Sequence, residues 1–170
     1  LRDLGATCNG SPVTIGGSVS IEGGWNGTGE VTINGLTTWN IGAWIQGTGK
    51  IVANGGMHIT GTGISRLTGM TIENAGVAIF DGGLLEGYDG SVIHNLPGAT
   101  FEIRNDADMY DGHGGAPVRF ENDGTFLKLT GAGEASNNFQ FNNSGTVEVQ
   151  SGQLVLNGGG TSTGDFLVGS

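Results

Sequence analysis

Apolar and β-favouring residues fall along this chain in short alternating runs. "VTI" at 13–15, "VSI" at 19–21, "FLKL" at 126–129 and "VEVQ" at 147–150 are examples, each bounded by Gly or Asn. Alternation with period two is the mark of a strand with one face buried. Nowhere does the chain carry a clean apolar stripe at i, i+3, i+4 and i+7, the pattern of an amphipathic helix. The pattern predicts an all-β fold. Glycine supports it: 36 of the 170 residues are Gly, a poor residue for a helix interior.

The connections between strands raise a question of topology. Residues 118–131 read "VRFENDGTFLKLTG", two strand-like runs around Asn122-Asp123-Gly124. Asp-Gly between alternating apolar runs is a strong hairpin signal, because it accepts the positive φ of a tight turn. The same arrangement recurs, however, in "TINGLTTWNI", "VANGGMHI", "IENAGVAIF", "IHNLPGATFEI" and "FNNSGTVEV". The aligned asparagines are Asn34, Asn54, Asn74, Asn95, Asn122 and Asn143, and the steps between them are 20, 20, 21, 27 and 21. "GTG" at 27–29 and 47–49 repeats the first of these steps independently.

A repeat of this length fits either a run of antiparallel hairpins or a solenoid whose coils stack in parallel. Short strands, a third strand-like run in each period ("LLE" at 84–86, "LVL" at 154–156) and the recurrent Asn favour the solenoid. Stacking brings equivalent residues to about 4.8 Å, and the Asn amide, both donor and acceptor, can bond its neighbour in a ladder. The expectation is a parallel β-helix (β-solenoid) of about seven coils with about 20–21 residues each. It occupies 13–170 as one domain, after an irregular N-terminal segment or cap at 1–12. The six asparagines should form one stack. Two places before them, Val52, Ile72, Ile93, Phe120 and Phe141 should point inward. Thr32 breaks the pattern, so Val31 and Ile33 take the inward role in that coil.

Charge narrows the partners. The chain has 16 acidic residues against 6 Lys and Arg, a net charge of −10. That surface is repelled by nucleic acid and by anionic membranes. No apolar run approaches the roughly 20 residues of a membrane-spanning helix. Cys8 is the only cysteine, so there is no intrachain disulfide framework. The chain opens at Leu1 and closes just after "DFLV". These cut-looking ends lead to the expectation of a segment of a longer chain, with flanking domains as partners and end-to-end self-association at the exposed last coil.

The stretch "FNNSGTVEVQSGQLVLNGGGTSTGDF" resembles repeats of large secreted bacterial surface proteins, the filamentous-adhesin and autotransporter-like parallel β-helices. The likeness is clearest over 118–168 and is one of repeat style. It implies a right-handed parallel β-helix that displays or spaces other domains at a cell surface. The expectation from this likeness is an extracellular structural or adhesive element, not an enzyme, with glycans or host-surface molecules as further partners. It carries no functional residue over.

Chemistry has three places to reside. The long step between Asn95 and Asn122 predicts a loop insertion near 104–115, "RNDADMYDGHGG". Its Asp106, Asp108 and Asp111, with His113 nearby, are candidate calcium ligands or simply a solvated acidic loop; no other cofactor is expected. "GHG" at 112–114 resembles one short polygalacturonase motif, but the accompanying "NTD" and "DD" elements are missing. A polysaccharide-acting enzyme would need acids and a base around this loop. Trp25, Trp39 and Trp44 lie in the first coils, where they are either apolar cover for an end coil or a platform for sugars, as in a carbohydrate-binding module. Glu73, His94 and Glu121, each just before a corner Asn, should form a surface row with His94 between carboxylates. Glu30 should stack on Lys50.

Overall fold

The computed structural model describes residues 2–3, 6–112 and 114–169 and contains only strands and turns among them. Its strands form three sheets: sheet A with nine strands, sheet B with eight and sheet C with seven. Every strand pairing within them is parallel. One coil passes through all three in turn. Thr71–Asn74 lies in sheet C, Val77–Phe80 in sheet A and Leu84–Tyr88 in sheet B, before Val92–Asn95 returns to sheet C. The result is a three-sided β-solenoid of about eight turns. Its first turn includes Arg2–Asp3 and Ala6–Cys8, strands within the stretch expected to be irregular.

The hairpin question is answered by register. Arg119–Asn122 pairs with Val92–Asn95 on one side and Gln140–Asn143 on the other. Thr125–Lys128 pairs in another sheet, with Thr100–Ile103 and Thr146–Val149. The chain turns a corner at Asp123-Gly124 and carries on. Glycine is required there by close approach. A Cβ on Gly124 would collide with the Ala99 carbonyl oxygen, and one on Gly145 with that of Gly124. Each of these corner glycines leaves room for the backbone of the coil beneath it.

Alternation delivers one side chain in two to the interior. Trp25 and Trp39 fill the first turns. Isoleucine, leucine and methionine follow, and the later turns are packed by Phe101, Phe120, Phe126, Phe139 and Phe141. Phe101 stacks on Phe126 and Phe120 on Phe141 at centroid distances of 5.6 and 5.5 Å, and edge-to-face contacts link the two stacks. Burying each such ring contributes about 1.5–3 kcal/mol, so the interior is one continuous apolar column.

Two expectations are corrected by register. Val52 does not point inward. Ile51 and Ala53 do, and Ala53 occupies the inner position that Asn74 holds one coil later. Asn54 therefore lies one place beyond, on the outside. The insertion at 104–115 is not a separate loop either. Met109–Asp111 within it is a strand of sheet B paired to Leu85–Gly87, with Met109 in the core. The surplus residues are distributed. Leu96-Pro97-Gly98 widens one corner, and the path from Met109–Asp111 to Arg119–Asn122 is longer than its counterpart in the coil before.

Candidate functional site

The asparagine ladder exists in two segments. Asn74, Asn95, Asn122 and Asn143 are buried in the C-to-A corner. Asn74 Nδ2 donates to Asn95 Oδ1 at 2.9 Å, Asn95 Nδ2 to Asn122 Oδ1 at 2.9 Å, and Asn122 Nδ2 to Asn143 Oδ1 at 2.7 Å. Asn143 Nδ2 continues the ladder to Ser162 Oγ. Each inner amide also serves the backbone: Asn74 donates to the carbonyls of Gly76 and Thr100, and Asn95 to that of Thr125. Asn34 and Asn54 form the other segment, exposed, with Asn54 Nδ2 donating back to Asn34 Oδ1 at 2.9 Å. The break falls between Asn54 and Asn74 because the register sets Asn74 on Ala53, one place before Asn54.

The acidic segment is bonded into the solenoid. Asp106 accepts from Lys128 Nζ at 2.9 Å and from the Gly133 amide. Asp108 accepts from the Ser136 amide at 2.8 Å, and Asp111 from the Val118 amide at 3.3 Å. The three carboxylates thus turn to three different places, and among the described residues no three His, Cys, Asp or Glu side chains gather to hold a metal ion. His113 lies outside the described residues.

Lys128, which the repeat pattern did not single out, is fully buried. It aligns with Ile103 and Val149 in the neighbouring coils. Its ammonium also donates to the carbonyls of Thr130 and Gly131. A buried charge must be paired and hydrogen-bonded, and these three acceptors meet that need. The Lys128 ammonium, with help from the Gly133 amide, holds the Asp106 carboxyl below the usual aspartate range despite some desolvation. The signal was present in "FLKL": Lys128 has the same inward parity as Phe126.

The surface rows fall as expected. Glu73, His94 and Glu121 are aligned in sheet C. His94 Nε2, however, bonds Asp123 at 2.8 Å, one corner away. Ser144 and then His94 draw the Asp123 pKa below its ordinary value. Glu30 aligns with Lys50, whose ammonium lies 3.1 Å from both Glu30 and Glu73. Chiefly through Glu73, these carboxylates raise its pKa.

The three tryptophans separate. Trp25 and Trp39 are 1% and 0% exposed and belong to the core. They do not form a platform with Trp44, because inward parity commits them to the first turns. Trp44 is 47% exposed on sheet B. Its Nε1 donates to Thr68 Oγ1 at 3.0 Å, and the Arg66 guanidinium carbon lies 5.9 Å from its ring centroid. Arg66 Nε donates to Glu86 Oε2 at 3.0 Å, and Tyr88 Oη donates to the same oxygen at 2.9 Å. The Glu86 carboxylate raises the Tyr88 pKa, so the phenol stays a donor at neutral pH. Register explains the grouping: Trp44, Arg66 and Glu86 are successive members of one outward row, and Gln46, Thr68 and Tyr88 of the next. Two adjoining hollows lie along these rows. One, of about 290 Å³, is lined by Trp44, Arg66, Tyr88 and Asp89; the other, of about 460 Å³, by Asn26, Gln46, Thr48 and Gly69. Thr68 and Asp89 border both.

No protein-family model, curated protein or solved structure matches this chain.

Proposed function

We propose that this chain is a structural or adhesive β-solenoid segment of a large extracellular protein, of the kind displayed at bacterial surfaces. The observation that carries the reading is the uninterrupted in-register stack, which prolongs one apolar column by repetition. A rod of this kind holds flanking domains at a set distance and offers three long faces for contact. Its last strand, Asp165–Val168, supports end-to-end association. Phe166 is 54% and Val168 81% exposed there, on an open parallel edge able to pair with a further strand. The role is one of binding and spacing without turnover.

Two measurements test it. Residues 71–91 form one repeat by the register Thr71↔Val92. A second copy inserted after residue 91 should leave the fold intact and lengthen the rod by about 4.8 Å, read as a distance between spin labels placed in the first and last turns. Beads carrying the chain should adhere to cells or immobilised polysaccharide while releasing no reducing ends. Loss of folding on duplication would overturn the rod, and steady release of reducing ends would overturn the non-enzymatic role.

A further inference from the structure

We infer that the hollows around Trp44, Thr68 and Asp89 on sheet B are a binding groove for a neutral oligosaccharide. The inference deepens the adhesive reading and rests on it for its biological sense.

Four features of the groove carry it. The first is an exposed aromatic ring. Trp44 is 47% exposed and lines the smaller hollow together with Arg66, Thr68, Tyr88 and Asp89. Its uncovered surface offers the C–H face of a pyranose ring a place to stack. Second, the groove is held in shape before any ligand arrives. The Trp44–Thr68 bond fixes the indole, and the Glu86 carboxylate ties Arg66 and Tyr88 together. Preorganisation of this kind lowers the cost of binding.

Third, the polar groups suit hydroxyls. Asn26, Gln46, Thr68 and Asp89 border the hollows. Asp89 is the single non-glycine residue with positive φ, 53°, among the described residues. With Gly90 at φ 70° it forms an Asp-Gly turn, a conformation Asp tolerates, and this turn sets the residue's place at the edge of the groove. Fourth, charge selects the class of ligand. Arg66 is matched by Glu86, so Asp89 leaves the groove negative, as is the chain at −10. An anionic glycan is disfavoured and an uncharged one is not. From Asn26 through Gln46 and Thr68 to Tyr88 the groove crosses three coil steps. At about 4.8 Å per step, that is enough for a short chain of sugars but long for a monosaccharide.

The test uses the whole chain and a panel of neutral probes (maltoheptaose, cellohexaose, mannohexaose, xylohexaose), with polygalacturonate and chondroitin sulfate as anionic comparisons. Binding is read by calorimetry and by iodide quenching of tryptophan fluorescence, since Trp44 is the exposed indole. At least one neutral probe should bind saturably and protect Trp44 from quenching. Trp44→Ala and Asp89→Gly should each weaken it at least tenfold. Asp89→Gly is the decisive variant, because glycine accepts the positive φ without strain, so its melting temperature should not fall. Trp44→Phe keeps a ring and should retain part of the affinity. No saturable binding by any neutral probe, binding untouched by both variants, or preference for the anionic polymers would each overturn the groove. Those failures leave the rod's coil duplication unaffected, and an unsuccessful duplication leaves the groove's calorimetry unaffected.

Discussion

Replacing Asn95 with alanine, beside the same change at Asn54, isolates what burial does to one repeated side chain. Asn95 is fully buried. Its Oδ1 receives Asn74 Nδ2, and its Nδ2 supplies Asn122 Oδ1 and the Thr125 carbonyl. Truncation removes the amide that supplies Asn122 Oδ1 inside the corner, where water does not take its place. An unsatisfied buried acceptor costs about 1–3 kcal/mol, and the lost bond to Thr125 adds about 1 kcal/mol. Asn74 Nδ2 still has Gly76 and Thr100 to donate to. The expected destabilisation is about 3 kcal/mol, roughly a hundredfold in the unfolding constant. Asn54 makes an equally short bond, to Asn34 at 2.9 Å, but on an exposed corner. Water can replace its partner, so Asn54→Ala should cost about 0.5 kcal/mol.

The assay is equilibrium urea unfolding followed by fluorescence of the buried Trp25 and Trp39, with the m-value compared between variants. A lower midpoint at constant m marks a change in stability. Asn95→Asp should be worse than alanine at pH 7, because it sets a buried carboxylate against Asn122 Oδ1, and should improve on acidification as that carboxyl is protonated. Equal costs at positions 54 and 95 would refute the claim that the inner ladder is held by burial.

Three further outcomes are expected. Because Lys128 lowers the folded-state pKa of Asp106, that pair stabilises the fold above the unfolded aspartate value of about 3.9 and is lost as pH falls through the lower folded value. The stability gap between wild type and Asp106→Asn should therefore close below about pH 4, as measured by urea midpoints across pH; a gap independent of pH would contradict the pairing. Millimolar calcium should leave the melting temperature unchanged beyond ionic screening, since Asp106, Asp108 and Asp111 face separate partners; a saturable rise abolished by Asp108→Asn would show a site. Phe166→Asp and Val168→Lys should reduce concentration-dependent association measured by sedimentation, whereas unchanged association would place the contact elsewhere than the last strand.

The repeat was legible because stacking imposes one chemical demand at each column. A corner carbonyl buried once per coil must be satisfied once per coil, so Asn returns with the period of the coil and can be counted. The corner glycines are legible for the same reason, although at Gly124 and Gly145 the cause is the backbone of the coil beneath and not positive φ. The offset of Asn34 was legible in the inward parity of Val31 and Ile33, both fully buried, but that of Asn54 was not. Asn followed by Gly reads the same whether the Asn ends the strand facing inward, as at Asn74, or lies just past it, as at Asn54. Only the parity of the preceding residues distinguishes them, and in "KIVAN" both parities are apolar.

The groove shows why sites are harder to see than folds in a solenoid. Trp44, Thr68 and Tyr88 belong to three successive coils, and each is an ordinary outward residue of its own strand. What assembles them is the register of sheet B, which sets Arg66 on Trp44 and Tyr88 on Thr68. A shift of one residue in any of these strands would turn its outward residues into the core, as the inward parity of Trp25 and Trp39 has already done for two of the three tryptophans. Period alone therefore predicts how many layers a solenoid has, while pairing register decides which side chains share a face. In this protein the fold follows from the first, and the candidate for recognition follows from the second.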